Sequence, residues 1–131
     1  MKRLCALALS TAAILAGCGQ FQNVKVADIQ NPEHLRSEKD FPMTVQQIAD
    51  ALYKHGATCG ALPALHINPT DRNEAYLTMP MMGLSDSSAG AHLAFRQTGQ
   101  QTHVKAYTYY SSWTHYVDQI YAAIEQPGKC K

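Results

Sequence analysis

The chain lacks most features that announce an activity. No apolar stretch reaches the roughly 20 residues a membrane-spanning helix needs; the longest, residues 4–16, is too short. An excess of charge of one sign is also missing. Lys and Arg number 11 against 10 Asp and Glu, a net charge of +1, so there is no electrostatic footprint for nucleic acid and no polybasic patch for a membrane surface. The chain contains no Gly-x-Ser-x-Gly elbow, no phosphate-cradling glycine loop and no His-Glu-x-x-His helix, which removes the common hydrolase, nucleotide and zinc-protease signatures. Its carboxylates are scattered and form no local pair suited to acid–base work. The one Ser/Asp cluster, Ser85-Asp86-Ser87-Ser88, reads as turn chemistry. No cofactor is implied, and a non-enzymatic protein is expected.

The N-terminus, by contrast, is rich in signal. Lys2-Arg3 precedes the apolar run, which ends in Leu15-Ala16-Gly17-Cys18. A charged segment, a short apolar segment and small residues before a cleavage site describe a secretory signal. With a cysteine directly after Leu-Ala-Gly, the stretch resembles the lipobox of bacterial lipoprotein precursors. That resemblance implies cleavage before Cys18, a diacylglycerol thioether on its sulfur and usually a third acyl chain on the new amino group. Membrane attachment through this lipid follows, and Gly19 in place of an Asp leans toward the outer membrane. An uncleaved N-terminal anchor is the competing reading; both put the body outside the cytoplasm.

Cysteine use agrees with export. Of four cysteines, Cys5 leaves with the signal and Cys18 carries lipid. Cys59 and Cys130 remain, and in an exported domain they most simply pair. Two free thiols or half of a metal site is the alternative.

Residues 1–17 are thus expected to be the signal peptide, 18–37 the lipidated N-terminus and tether, and 38–131 one folded domain. As a polar random coil the tether would span roughly 25 Å, with a weak alternation around Val24, Val26 and Ile29 as a candidate short strand. A first helix is well marked over 45–55. Thr44 and Gln47 form a capping box, Met43 and Ile48 a hydrophobic staple, and Val45, Ile48, Ala49 and Leu52 one apolar stripe. Gly56 fits the left-handed position that ends a helix. Residues 37–41 before it are a candidate strand. Strands follow around Leu65–Ile67 and over 74–81, 91–97 and 101–110. Gly99 as the first of two central residues predicts a type II′ hairpin turn. That turn opposes Thr98 to Gln101, so Phe95 meets Val104, Leu93 meets Ala106, Arg96 meets His103 and His92 meets Tyr107. A last helix is expected over 112–126, capped by Ser111 or Ser112, with Trp113, Tyr116, Val117, Ile120, Ala123 and Ile124 as its apolar side and Pro127-Gly128 as its stop.

These elements predict an α+β two-layer sandwich: an antiparallel sheet of about four strands, with a candidate fifth, and two helices on one face. Leu65, Ile67, Leu77, Met79, Met81, Leu93, Phe95, Val104 and Ala106 should face the helices. In architecture the layout resembles the helix-and-sheet modules of accessory lipoproteins in envelope machines. The open face would carry His66, Tyr76, Thr78, His92, Arg96, His103, Lys105, Tyr107 and Tyr109. Tyr76, His92, Arg96, His103, Tyr107 and Tyr109 are the candidate partner-binding residues, because Tyr and Arg are enriched at protein interfaces. A solvated face of cross-strand pairs competes with that reading, as does a small-molecule or metal site. Metal binding fits the geometry poorly, since His66 and His103 lie three strands apart, roughly 14 Å in a meander.

Overall fold

The structure is a computed structural model that describes residues 24–81 and 88–130. The lipobox, Cys18, the first residues of the expected tether, Met82 and Ser85-Asp86-Ser87 lie outside the described residues.

A five-stranded antiparallel sheet forms the centre of the molecule, in the order β1-β5-β4-β3-β2. The strands are β1 (Leu35–Phe41), β2 (His66–Ile67), β3 (Glu74–Pro80), β4 (Ala89–Thr98) and β5 (Gln101–Thr108). The last four form a meander, and β1 adds beside β5. The fold is the expected α+β sandwich, with the candidate fifth strand present. Helices α2 (Val45–Cys59) and α3 (Thr114–Glu125) share one core with one sheet face. Val45, Ile48, Leu52, Val117, Ile120, Ala123 and Ile124 meet Phe41, Leu77, Leu93, Phe95, Val104 and Ala106 there.

The hairpin register follows from its turn. Phe95 pairs with Val104, Leu93 with Ala106, Arg96 with His103 and His92 with Tyr107. Gly99 has φ 61°, and Gln100 has no positive φ, the pattern of a type II′ turn. At the start of α2, Thr44 Oγ1 accepts from the Gln47 amide (3.2 Å) and Gln47 Oε1 accepts from the Thr44 amide (2.8 Å). That box satisfies two amides that a helix start otherwise leaves bare. Cys59 and Cys130 form a disulfide, their Cα atoms 5.2 Å apart, that joins the last residue of α2, not the chain beyond it as expected, to the segment past the end of α3.

Several local expectations need correction. Helix α2 runs a turn past Gly56 and ends at Gly60, whose φ of 117° suits glycine. The Gly60 amide still bonds to Gly56 O at 3.2 Å, so nothing at Gly56 interrupts the helical ladder. Neither Ser111 nor Ser112 caps α3 through its side chain; the two begin a 3-10 turn, Ser111–Trp113, that leads into it. Met81 leaves the helix-facing row because the β3–β4 register shifts between Met79 and Pro80. A bulge of that kind resets the alternation of faces.

The largest departure concerns the expected tether. Residues 24–37 are folded: a four-residue helix α1 (Val26–Ile29), a 3-10 turn (Pro32–His34) and the start of β1. Ile29 is fully buried and joins Val24, Met81 and Ala89 in a second, smaller apolar cluster. Val26 and Trp113 pack against it, so Trp113 anchors this cluster and not the main core. Its ring lies so close over Gly90 that a Cβ there would sit 2.2 Å from it. The chain is held further by Arg36, which donates from Nε to Thr108 Oγ1 (2.9 Å) and from a terminal nitrogen to Thr108 O (3.0 Å).

Candidate binding face of the sheet

Strand alternation sends Tyr76, Thr78, His92, Ala94, Arg96, His103 and Lys105 to the face opposite α2 and α3. Helix α1 lies on this side, against β4. It covers one end of the face and leaves the other open as a groove of about 840 Å³. Val26 and Gln30 form the α1 side, His66 and Tyr76 one wall, and His103 and Lys105 the other. Ala94 makes the floor. It sits opposite Tyr76 on one neighbouring strand and Lys105 on the other, and its single methyl group leaves a dip between two long side chains.

The aromatic wall is a stack across three strands. The His66 and Tyr76 rings lie 5.1 Å apart at 22°, and the Tyr76 and His92 rings 5.9 Å apart at 26°. Tyr76 is 46% exposed between its two neighbours. Charged side chains also border the groove, each cation held by carboxylates. Arg96 pairs with Glu74 and Asp71. His103 meets Asp40 through Nδ1 (2.8 Å) and Glu38 through Nε2 (3.4 Å). Lys105 reaches the same Glu38 at 3.3 Å. The bond to Asp40 is the main cause that raises the His103 pKa above its ordinary value, with Glu38 adding to it. Lys105, then His103, hold the Glu38 carboxyl below its own ordinary value.

The six candidate partner residues do not form one site. Tyr76 lines one wall of the groove, and Arg96 and His103 also line it with their charges already committed. His92 is not on a wet surface: it is only 5% exposed, its Nδ1 within 2.9 Å of Thr78 Oγ1, and burial lowers its pKa. That burial was not legible from residue alternation. Tyr107, which pairs with His92 and Leu35, lies outside the groove. Tyr109 falls beyond the end of β5 and stacks on His34 at 5.3 Å. Sequence reasoning missed Ala94, whose small size between Tyr76 and Lys105 only the register reveals, and Val26 and Gln30, which it assigned to the tether.

Among the described residues, no three His, Cys, Asp or Glu side chains are placed to hold a metal ion together, and no helix is long and apolar enough to cross a membrane. No family model, curated protein or solved structure matches the chain.

Proposed function

We propose that this is a lipid-anchored lipoprotein of the bacterial cell envelope, with the outer membrane as the favoured site. Its folded body acts as a non-enzymatic binding or accessory module for another envelope component. The reading is supported by the Leu15-Ala16-Gly17-Cys18 lipobox and by the disulfide, which suits an oxidising compartment. The observation that carries the binding role is Tyr76, half exposed in a ring stack beside the dip at Ala94. A tyrosine held by its neighbours loses little rotamer freedom on contact, which suits an interface anchor. The rim charges are paired already, so they favour a partner that brings its own hydrogen bonds over a bare polyanion.

The test is a crosslinking pull-down of the lipidated protein from its own membranes, with Tyr76→Ala and Ala94→Arg beside the unsubstituted chain. An envelope protein recovered with the unsubstituted chain should be lost with both variants. Stability should change by less than about 1 kcal/mol, the scale of a cross-strand pair. Equal recovery with all three would place the interaction elsewhere.

A second reading is a small-molecule site on the same groove. Its volume falls in the range of ligand pockets, roughly 300–1,000 Å³, and the His66–Tyr76 stack offers a face to a planar ring. Recovery of no protein, together with a Tyr76-dependent ligand extracted from the purified body, would favour it.

A further inference from the structure

The chain enters the described fold at one corner, and that corner is aromatic. Ala89 donates its amide to Val24 O at 2.8 Å. Next along β4, Gly90 lies under the Trp113 ring and accepts the Tyr109 amide at 2.9 Å. Trp113 in turn donates its amide to Tyr110 O at 3.1 Å. Tyr109 and Tyr110 meet edge to face at 4.9 Å, and Trp113 and Tyr116 at 5.3 Å. Four large amphipathic rings therefore surround the entry point. Tyr110 is 51% exposed and Tyr109 37%, and neither belongs to the main core or lines the groove.

The lipoprotein reading, on which this inference rests, puts the lipid on Cys18, only six residues before Val24. Six residues of fully extended chain reach roughly 20 Å, so the bilayer surface stays within that distance of the corner. Tyr and Trp favour the headgroup layer, where the ring body and the polar tip are both satisfied. We infer that the corner formed by Tyr109, Tyr110, Trp113 and Tyr116 rests in the headgroup layer of the membrane that holds the anchor. The lipid supplies the affinity, and the aromatic corner sets the orientation. Strand β4 runs from Gly90 at this corner to Arg96 at the open end of the groove. That end lies roughly 20 Å along the strand from the corner, at the rise of an extended strand.

Trp113 is the only tryptophan in the chain and reports on this contact without substitution. The mature lipidated protein is reconstituted into phosphatidylethanolamine–phosphatidylglycerol vesicles, either plain or carrying bromine on the acyl chains near the carbonyl. Trp113 emission should drop in the brominated vesicles. With the reporter moved to α2 by Trp113→Phe and Tyr53→Trp, the two vesicle types should give equal emission. Tyr109→Ser with Tyr110→Ser should keep the protein in the vesicle pellet and remove most of the quenching. Vesicle-bound protein with unquenched Trp113 would overturn the inference while leaving the lipoprotein reading intact. So would quenching that survives loss of both tyrosines, or crosslinks from position 110 to an envelope protein without quenching by lipid. Protein that stays out of the pellet, with no lipid mass on the Cys18 peptide, would instead defeat the lipoprotein reading and this inference with it.

Discussion

His92 and His103 occupy neighbouring strands and respond to pH in opposite directions. Burial favours the neutral form of His92, so its folded pKa lies below the ordinary 6.5. Its contribution to stability is complete above that value and is lost as pH falls through the lowered folded one. The Asp40 and Glu38 carboxylates favour protonated His103, whose folded pKa lies above 6.5. Its contribution is complete below that value and is lost as pH rises through the raised one. Because His103 is solvent-exposed, screening keeps its share small. Around the ordinary histidine value the two contributions oppose each other and partly cancel. In thermal melts, His103→Gln should therefore lose more stability on acidification than the unsubstituted protein, and His92→Gln should lose less. Parallel profiles for all three proteins would refute this account.

At the scale of elements, α1 makes residues 24–37 part of the folded body. If residues 24–37 were a spacer, Ile29→Ala would cost almost nothing. With Ile29 fully buried beside Val24, Met81 and Ala89, the change should cost roughly 2–4 kcal/mol, read as a shift in denaturant midpoint. The helix layer carries its own crosslink. The disulfide closes a separation of 71 residues, and the chain-entropy model assigns such a loop about 4 kcal/mol. Reduction should lower the unfolding free energy by up to that amount, read from the shift in denaturant midpoint multiplied by the m-value, and non-reducing peptide mapping should recover Cys59 linked to Cys130. Free alkylation of both thiols in the native protein would contradict the bridge. Strand β1, at the sheet edge, carries Arg36, Glu38, Lys39 and Asp40. Such charges discourage pairing with another chain, consistent with recognition on the face rather than the edge.

For the whole molecule, anchor, aromatic corner and groove make a single geometric hypothesis. The lipid fixes which side is near the bilayer, the corner sets the tilt, and the groove presents Tyr76 away from the surface. Cys18→Ala should release the body from membranes or leave an uncleaved precursor in fractionation and mass measurement. Normal processing with unchanged membrane association would reject the anchor.

What the sequence alone determined is local. Gly99 dictates the hairpin turn, and the turn dictates the β4–β5 register. Thr44 and Gln47 start α2, and the alternation of Leu93, Phe95, Val104 and Ala106 builds the helix-facing core. Each depends on residues within one turn or one hairpin, where backbone preference and hydrogen-bond partners are close in the chain. Tertiary structure decided which parts of the other face stay open. Helix α1 is too short to show a hydrophobic period, so its docking on β4 is visible only from contacts distant in sequence. His92 is buried among side chains of neighbouring strands, and the bulge before Pro80 sends Met81 to a second cluster. Tyr76 becomes the candidate anchor for the same reason: alternation placed it among several exposed rings, but only the packed fold shows it beside the dip at Ala94.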